Sequence, residues 1–235
     1  ELEFMGVKDI ITFDAHDPRV QNSVPIMGFD NFMPTYQILK AMLKTFPEIN
    51  MKKDNFMIVS PDEGAMSRNI YYASVLGTDL GMFYKRRDYT RIVNGRNPII
   101  AHEFLGSSVE GKDVIIIDDM ISSGESVLEV AAALKDRKAN RIFVFSTFGL
   151  FTAGLAGFDK AYEKGTIHRV LTTNLIYQTP ELLKREWYID CDMSKYIAYI
   201  IDTLNHDTSI SDLLNPVERI QACVARYHAG ETEGV

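Results

Sequence analysis

The strongest constraint on the fold is a series of short, uninterrupted apolar runs separated by helical patterns. Runs that are apolar at every position, rather than at alternate positions, are typical of parallel strands covered on both faces. The clearest of them is VIIID, which is followed at once by a second aspartate. The predicted strands are Ile10–Phe13, Phe56–Ser60, Met82–Lys85, Val114–Asp118, Ile142–Thr147, Arg169–Asn174 and Trp187–Cys191.

Helical patterns lie between and after these runs. The predicted helices are Pro34–Thr45, Gly64–Leu76, Glu125–Lys138, Thr152–Lys164, Met193–Leu204 and Pro216–Tyr227. Alternation of strands and helices predicts an α/β fold with a doubly wound, mostly parallel sheet. Sheets of this kind bind ligands at the carboxyl ends of their strands, so we expect the functional residues there.

Composition narrows the class of partner. The 235 residues carry a net charge of -7, which argues against nucleic-acid binding through a global positive field. No apolar run approaches the roughly 20 residues that a membrane-spanning helix needs, so we expect no membrane insertion. Cys191 and Cys223 fit no metal-binding or redox spacing and are too few for a disulfide framework, which favours a reducing, cytoplasmic location.

The stretch VIIIDDMISSGES, residues 114–126, places two carboxylates and a small-residue turn at the end of a buried strand. Small residues let backbone N–H groups converge on an anion, and the N-terminus of the next helix adds favourable partial charge. The turn therefore predicts a phosphate site. Asp118 and Asp119 repel phosphate and are better suited to accept hydrogen bonds from sugar hydroxyls or to hold a metal. A capped helix preceded by two solvated acids is the non-functional alternative.

Two further strand ends carry candidate ligands. In TFDAHDPRVQ, residues 12–21, His16 stands beside carboxylates and can coordinate Mg²⁺ or contact phosphate, although a surface histidine is the simpler interpretation. In VSPDEGAMSR, residues 59–68, Asp62 precedes a predicted helix that Gly64 opens. Asp62 is either a metal-associated carboxylate or a plain helix N-cap.

The stretch YKRRDYTRI, residues 84–92, places three adjacent cations at a strand end. Because like charges repel, this arrangement is best explained by an anionic partner, and the alternative is a solvated basic patch. The polar and basic residues Asp88–Asn97, which include Gly95, are expected to form a loop that closes over substrate.

The acid pair and its turn are similar to the phosphoribosyl-binding motif of the type I phosphoribosyltransferase fold. Together with the histidine, aspartate and Lys-Arg-Arg stretches, in this order, the chain resembles the ribose-phosphate pyrophosphokinase (phosphoribosyl pyrophosphate synthetase) family from about Gly6 to Leu214. The resemblance implies transfer of diphosphate from ATP to the 1-hydroxyl of ribose 5-phosphate, giving phosphoribosyl pyrophosphate and AMP. It also implies Mg²⁺ dependence and a homo-oligomer.

The resemblance assigns a role to each matching residue. Lys85 and Arg87 are the expected catalytic residues, which stabilise the transferring group. His16 and Gln21 are expected to bind ATP, and His16 and Asp62 to hold Mg²⁺. The residues expected to bind ribose 5-phosphate are Asp118, Asp119, Ser122, Ser123, Gly124, Glu125 and Ser126. Glu125 departs from the family pattern by placing a negative charge at the helix start, so its side chain is expected to point outward.

The resemblance also divides the chain. Residues 1–27 are expected to be the end of a truncated N-terminal domain, 28–214 a phosphoribosyltransferase-like catalytic domain, and 215–235 a C-terminal helix and tail. The chain begins without Met, in what resembles the last turn of a helix that Gly6 ends. Because the family places most of its adenine pocket in the first domain, we expect the isolated chain to be inactive or very weak.

Two alternatives remain open at this point. A phosphoribosyltransferase would consume phosphoribosyl pyrophosphate and would need neither the histidine stretch nor the Lys-Arg-Arg stretch. A non-catalytic relative would regulate synthetase subunits; such relatives often disrupt the catalytic loop, whereas Lys85 and Arg87 are intact here.

Overall fold

The computed structural model describes residues 1–87, 90 and 99–230, without the side chains of residues 85–87 and 99–102. Its strands are β1 (Asp9–Phe13), β2 (Gly28–Phe32), β3 (Phe56–Ser60), β4 (Asp79–Arg87), β5 (Ile99–Leu105), β6 (Asp113–Ile121), β7 (Ile142–Gly149), β8 (Arg169–Thr173) and β9 (Tyr188–Cys191). Its α-helices are α1 (Thr35–Thr45), α2 (Met66–Leu76), α3 (Glu125–Asp136), α4 (Ala156–Glu163), α5 (Pro180–Leu183), α6 (Ser194–Asn205), α7 (Ser211–Leu214) and α8 (Val217–His228). A 3₁₀-helix spans Pro18–Ser23.

A seven-stranded sheet forms the centre of the molecule, in the order β5-β4-β3-β6-β7-β8-β9. All neighbouring strands are parallel except β5, which runs antiparallel to β4 at one edge. The prediction of an α/β, mostly parallel sheet is therefore confirmed. The strand order reverses between β3 and β6, and this is the point at which doubly wound sheets open a crevice for ligands.

Both faces of the sheet are covered, which explains why β6 is apolar at successive positions. Val114 and Ile116 pack with α3 and α4 in one core cluster. Ile115 and Ile117 point to the other face and pack with α1, α2 and α8 in a second cluster. Because successive side chains in a strand point to opposite faces, a strand between two helical layers needs apolar residues throughout.

The first part of the chain forms a separate two-stranded sheet, in which β1 and β2 pair in parallel. A turn precedes it, with the Met5 N–H bonded to the Glu1 carbonyl at 3.0 Å and Gly6 at a φ of 87°. The predicted domain boundary between residues 27 and 28 falls between two strands that pair with each other. The division into domains stays a prediction.

Several element boundaries differ from the sequence-based prediction. Strands β2 and β5 were not predicted, since GFDNF and IIAHEFL lack the continuous apolar pattern. Strand β6 continues beyond Asp118 to Ile121, because β7 continues alongside it to Gly149. Helix α4 begins four residues after the predicted Thr152, because Phe151 and Gly154 have positive φ values of 47° and 80° and hold the chain in a turn.

The structure can be compared with the predictions about membrane insertion and about the two cysteines. No helix among the described residues has both the length and the apolar character that crossing a membrane requires. Cys191 and Cys223 are buried and free.

Candidate active site

A cleft of about 570 Å³ opens at the carboxyl ends of β3 and β6, where the strand order reverses. We call it the acid cleft. It brings together five of the predicted site residues, from three separate stretches of sequence. Its lining residues are His16, Asp62, Glu63, Gly64, Ala65, Arg68, Tyr84, Asp118, Asp119, Met120 and Ser122.

The acid pair lies inside β6 rather than after it. The Asp118 side chain is 29% exposed and the Asp119 side chain 6%, and the backbone N–H of Asp119 donates to Asp118 Oδ1 at 2.9 Å. Burial, together with the neighbouring Asp119 carboxyl, raises the pKa of Asp118 to about 7. Burial also disfavours the charge on Asp119, but hydrogen bonds from Asp118 and His16 outweigh it and lower the pKa of Asp119. The pair therefore offers one ionised carboxylate and one carboxyl that can change protonation near neutral pH.

Arg68 links the acid pair to the end of β1. Its Nε donates to Asp14 Oδ1 at 2.7 Å, and its Nη1 lies 3.8 Å from Asp118 Oδ1 and 3.7 Å from Asp119 Oδ1. The second oxygen of Asp14 accepts a hydrogen bond from Thr147 Oγ1 at 2.6 Å. Asp14 is 3% exposed, and burial raises its pKa although Arg68 and Thr147 oppose the shift. One buried guanidinium thus faces three carboxylates.

His16, which follows β1, also contacts the acid pair of β6, but from the exposed side of the cleft. Its Nδ1 is 2.8 Å from Asp119 Oδ2, while the side chain as a whole is 80% exposed. The hydrogen bond to Asp119 and the negative charge of that carboxylate raise the pKa of His16. A carboxylate that holds one ring nitrogen fixes the orientation of the imidazole and leaves the other nitrogen available to a ligand.

The turn after β6 forms a smaller pocket of about 120 Å³, continuous in sequence with the acid pair and lined in part by Ser122, Ser123, Gly124 and Ser126. Gly124 has a φ of 86°, and a Cβ at this position would lie 2.3 Å from Cε2 of Phe158. Glycine is therefore required both for the backbone conformation and for the packing against α4. This geometry lets α3 begin directly at the pocket.

Glu125 is the first residue of α3 and is exposed, with its backbone N–H 3.3 Å from Ser123 Oγ. It is not among the residues that line the small pocket. Its exposure agrees with the expectation that its side chain points outward.

Asp62 lies in the turn between β3 and α2. Helix α2 begins at Met66, with Ala65 rather than Asp62 at the N-cap position. Asp62 Oδ1 instead accepts a hydrogen bond from the Ala65 N–H at 3.3 Å, and Asp62 faces the acid cleft.

The donors of the acid cleft fit a Mg²⁺ ion that is shared with other ligands. Mg²⁺ usually keeps several waters and takes one or two carboxylates together with substrate phosphates, and Asp62 supplies such a carboxylate. His16 and Asp62 both line the cleft, and the imidazole of His16 is oriented by Asp119. Among the described residues, no three His, Cys, Asp or Glu side chains are grouped closely enough to hold an ion by themselves.

The remaining predicted residues are less fully placed. The backbones of Lys85 and Arg87 lie in β4. Their side chains are outside the described part of the structure. Tyr84, which precedes them in the same strand, lines the acid cleft. The predicted loop Asp88–Asn97 also lies outside the described residues, apart from Thr90. Gln21 lies on the exposed 3₁₀-helix and does not line the acid cleft.

Sequence reasoning did not predict a role for Arg68 or Thr147. Arg68 lies in the first turn of α2, six residues after Asp62. This closeness to a predicted site residue could have indicated that Arg68 also belongs to the site. Thr147 gives no such signal, because a threonine near the end of an apolar strand is ordinary.

Comparison with known proteins relates the chain to one family. Residues 91–215, more than half of the chain, match the model of a family described as the phosphoribosyl synthetase-associated domain. The ribose-phosphate pyrophosphokinase of Shewanella oneidensis is 30% identical over 217 residues, which are 91% of this chain and 63% of that protein. The ribose-phosphate pyrophosphokinase of Vibrio parahaemolyticus has the same identity and coverage.

A crystal structure of phosphoribosylpyrophosphate synthetase from Mycobacterium smegmatis superposes with a TM-score of 0.70 at 19% identity, over 88% of this chain and 61% of that chain. This likeness supports the fold. The chain spans less than two thirds of the length of these relatives, at 63% and 61%. On the family match, the chain belongs to the ribose-phosphate pyrophosphokinase, or phosphoribosyl pyrophosphate synthetase, family.

Proposed function

We propose that this chain contributes the ribose 5-phosphate site, and part of the nucleotide site, of a ribose-phosphate pyrophosphokinase. The enzyme transfers diphosphate from ATP to the 1-hydroxyl of ribose 5-phosphate and releases AMP. The observation that carries the proposal is the meeting of His16, Asp62, Asp118, Asp119 and Ser122 in one cleft. These residues lie at three strand ends, and the acid pair adjoins the pocket that the turn after β6 forms.

The sugar phosphate is expected to bind along the end of β6. The turn Ser122–Ser126 holds the 5-phosphate with backbone N–H groups, serine hydroxyls and the N-terminus of α3. Asp118 and Asp119 accept hydrogen bonds from the ribose hydroxyls. This arrangement orients the 1-hydroxyl toward the part of the cleft that contains His16 and Asp62.

The triphosphate is expected to lie across His16 and Asp62, with Gln21 near the nucleoside. These two residues would hold Mg²⁺, which when bound neutralises phosphate charge. Asp119 orients the imidazole of His16 by a hydrogen bond. The buried Arg68 stabilises the acid pair by its positive charge. Lys85 and Arg87 stabilise the charge that develops on the β-phosphoryl group as the 1-hydroxyl attacks it and AMP leaves.

The test is AMP release from ATP and Mg²⁺, dependent on ribose 5-phosphate. We expect activity from the full-length protein and a rate loss of about 10²–10³ when either Lys85 or Arg87 is replaced by alanine. Loss of less than tenfold in each single variant would remove their assignment. We expect little or no release from the isolated 235-residue chain, and substantial synthesis by it would refute that expectation.

A regulatory, non-catalytic role is the second candidate, and Glu125 is the observation that favours it. Glu125 is exposed and does not line the small pocket, but its charge at the first position of α3 still weakens the attraction of the helix N-terminus for phosphate. A full-length protein that binds ribose 5-phosphate, releases no AMP and changes the activity of a catalytic synthetase would select this candidate. Homo-oligomerisation and a cytoplasmic location stay predictions under either candidate.

A further inference from the structure

The two central strands of the sheet separate just before the acid cleft. The pairing of β3 with β6 ends at Val59 and Ile116. Strand β6 then continues alongside β7, and Ser60, the last residue of β3, pairs with β4. The backbone of Ile117, which directly precedes the acid pair, therefore lies where the gap between β3 and β6 begins.

The side chain of Asn69, in α2, bridges this gap. Asn69 is 0% exposed, and its Nδ2 donates to the Ile117 carbonyl at 2.9 Å. The same nitrogen also donates to the Ala65 carbonyl at 2.8 Å and to Ser60 Oγ at 3.2 Å. Because a side-chain amide has two N–H groups, one of them is shared between acceptors. Asn69 thus gives the Ile117 carbonyl a donor at the point where the pairing with β3 has ended.

Ser60 extends this bridge to Asp62. The buried Ser60 hydroxyl accepts a hydrogen bond from Asn69 and donates one to the Asp62 carbonyl at 2.8 Å. Asp62 lines the acid cleft from the side of β3, and Asp118 lines it from the side of β6. One buried amide is therefore bonded to the strand that carries Asp118 and, through one hydroxyl, to the turn that carries Asp62.

Stability alone does not explain an asparagine at this place. In the part of the chain that the structure describes, no donor reaches the buried Oδ1 of Asn69. A buried acceptor without a donor is unfavourable, and a leucine of similar volume would avoid it. What the amide contributes is geometry, because buried polar networks fix the relative positions of the elements that they join.

We propose that Asn69 is a positioning residue, which sets the separation between the Asp62 turn and the acid pair. The inference rests on the proposed function, in which Asp62 holds the metal of the triphosphate and the acid pair holds the sugar. Asn69 does not line the acid cleft, so it acts through the residues that do. In phosphoryl transfer the protein mainly positions the reactants, and a misplacement of about 1 Å can lower the rate by about 10².

The test compares Asn69→Leu with Thr172→Val in the full-length protein. Thr172 is the matched control, because it is buried, is hydrogen-bonded to the Tyr188 hydroxyl at 2.7 Å and does not line the acid cleft. We expect Asn69→Leu to lower kcat for AMP release by about 10- to 100-fold. KM for ribose 5-phosphate should change by less than about threefold, because β7 still pairs with the part of β6 that carries the acid pair. Thr172→Val should change kcat by less than about threefold.

Ser60→Ala is a milder variant of the same bridge. It removes the hydroxyl that donates to the Asp62 carbonyl and leaves the hydrogen bond from Asn69 to the Ile117 carbonyl in place. We expect kcat to fall by about three- to tenfold, again with little change in KM.

The separation can also be measured without turnover, from the relaxation that Mn²⁺ at the metal site causes in the phosphorus nucleus of bound ribose 5-phosphate. We expect Asn69→Leu to change this relaxation and Thr172→Val to leave it unchanged. Equal effects of the two variants, a change in KM alone, or a loss of stability with unchanged kcat and relaxation would each overturn the positioning role and leave the proposed function intact. An unsubstituted full-length protein that releases no AMP in response to ribose 5-phosphate would overturn the proposed function, and this inference with it.

Discussion

The two ends of β6 both place a buried aspartate beside an arginine, yet they are built for different purposes. At the amino end, Asp113 is 6% exposed and meets Arg141. At the carboxyl end, Asp119 is 5% exposed and lies near Arg68. The strand between the two ends is apolar at every position from Val114 to Ile117, so both acids are anchored by the same buried segment.

The amino end is a closed arrangement. Arg141 donates to Asp113 from Nε at 3.1 Å and from Nη2 at 2.6 Å, and Asn140 Nδ2 donates to the same carboxylate at 2.8 Å. Arg141 also bonds the exposed Glu48, and the two carboxylates raise the pKa of the guanidinium. With its oxygens occupied by protein donors, Asp113 has the character of a structural residue.

The carboxyl end is left open. Among the described residues, Arg68 hydrogen-bonds directly only to Asp14, and it stays 3.7–3.8 Å from the acid pair, which borders the acid cleft. Three carboxylates therefore share one arginine and the exposed His16. The difference teaches that a buried acid is not by itself a functional signal. The signal is an acid whose oxygens remain available at a cavity.

The largest expected effect comes from removing each arginine in turn. We expect Arg68→Met to lower the free energy of unfolding by about 3–5 kcal/mol, because the buried Asp14 loses its cation. Arg141→Met should cost less, about 1–3 kcal/mol, because Asp113 keeps Asn140 and the Arg141 backbone N–H as donors. Urea denaturation of both variants measures the difference. Equal losses would contradict the contrast between the open and closed ends.

Glycines at the two ends provide the next comparison. Gly111 precedes β6 and Gly124 follows it, with φ values of 73° and 86°. We expect Gly111→Ala to cost about 1 kcal/mol for the left-handed backbone, since a Cβ there meets nothing within 4 Å. Gly124→Ala should cost about 3 kcal/mol, because its Cβ would also collide with the Phe158 ring. Thermal unfolding of the two variants measures both losses of stability. Similar losses would show that the Phe158 ring moves aside at little cost.

A smaller effect is expected in the pH dependence of stability. The pKa of Asp118 is raised to about 7 in the folded protein, above its value in the unfolded chain. The unfolded state therefore releases the proton first, and stability is lost as pH rises from about 4 toward 7. We expect Asp118→Asn to raise the free energy of unfolding by about 1 kcal/mol near pH 8 and hardly at all near pH 4.

The matching variant at the other end is Asp113→Asn. It should lower stability near neutral pH, because Arg141 loses its charged partner. Urea denaturation across the pH range measures both variants. A loss of stability in Asp118→Asn near pH 8 would mean that Asp118 is held as a stabilising carboxylate, contrary to the open-end interpretation.

Much of this arrangement could be predicted from the sequence because its elements are local. The apolar run before Asp118 and the turn Ser122–Gly124 lie in one continuous stretch, so the strand, the turn and α3 were expected in that order. The extension of β6 to Ile121 could not be expected, because it depends on the length of its neighbour β7.

The contacts that shape the acid cleft were beyond sequence reasoning. Asp14 meets Arg68 across 54 residues and Thr147 across 133, and the hydrogen bond from His16 to Asp119 spans 103. Nothing in the spacing of these residues indicates that they meet; the parallel sheet brings them to one edge. Strand β2 was missed for a related reason, since GFDNF becomes a strand by pairing with β1.

The most direct test of the account is calorimetric binding of ribose 5-phosphate to the chain and to two variants. We expect the double variant Asp118→Asn, Asp119→Asn to weaken binding by at least about tenfold, because amides accept hydroxyl hydrogen bonds less strongly than carboxylates. Asp113→Asn, at the closed end of the same strand, should leave the affinity unchanged within about twofold. No binding by the unsubstituted chain, or equal affinities in all three proteins, would contradict the assignment of the acid pair to the sugar.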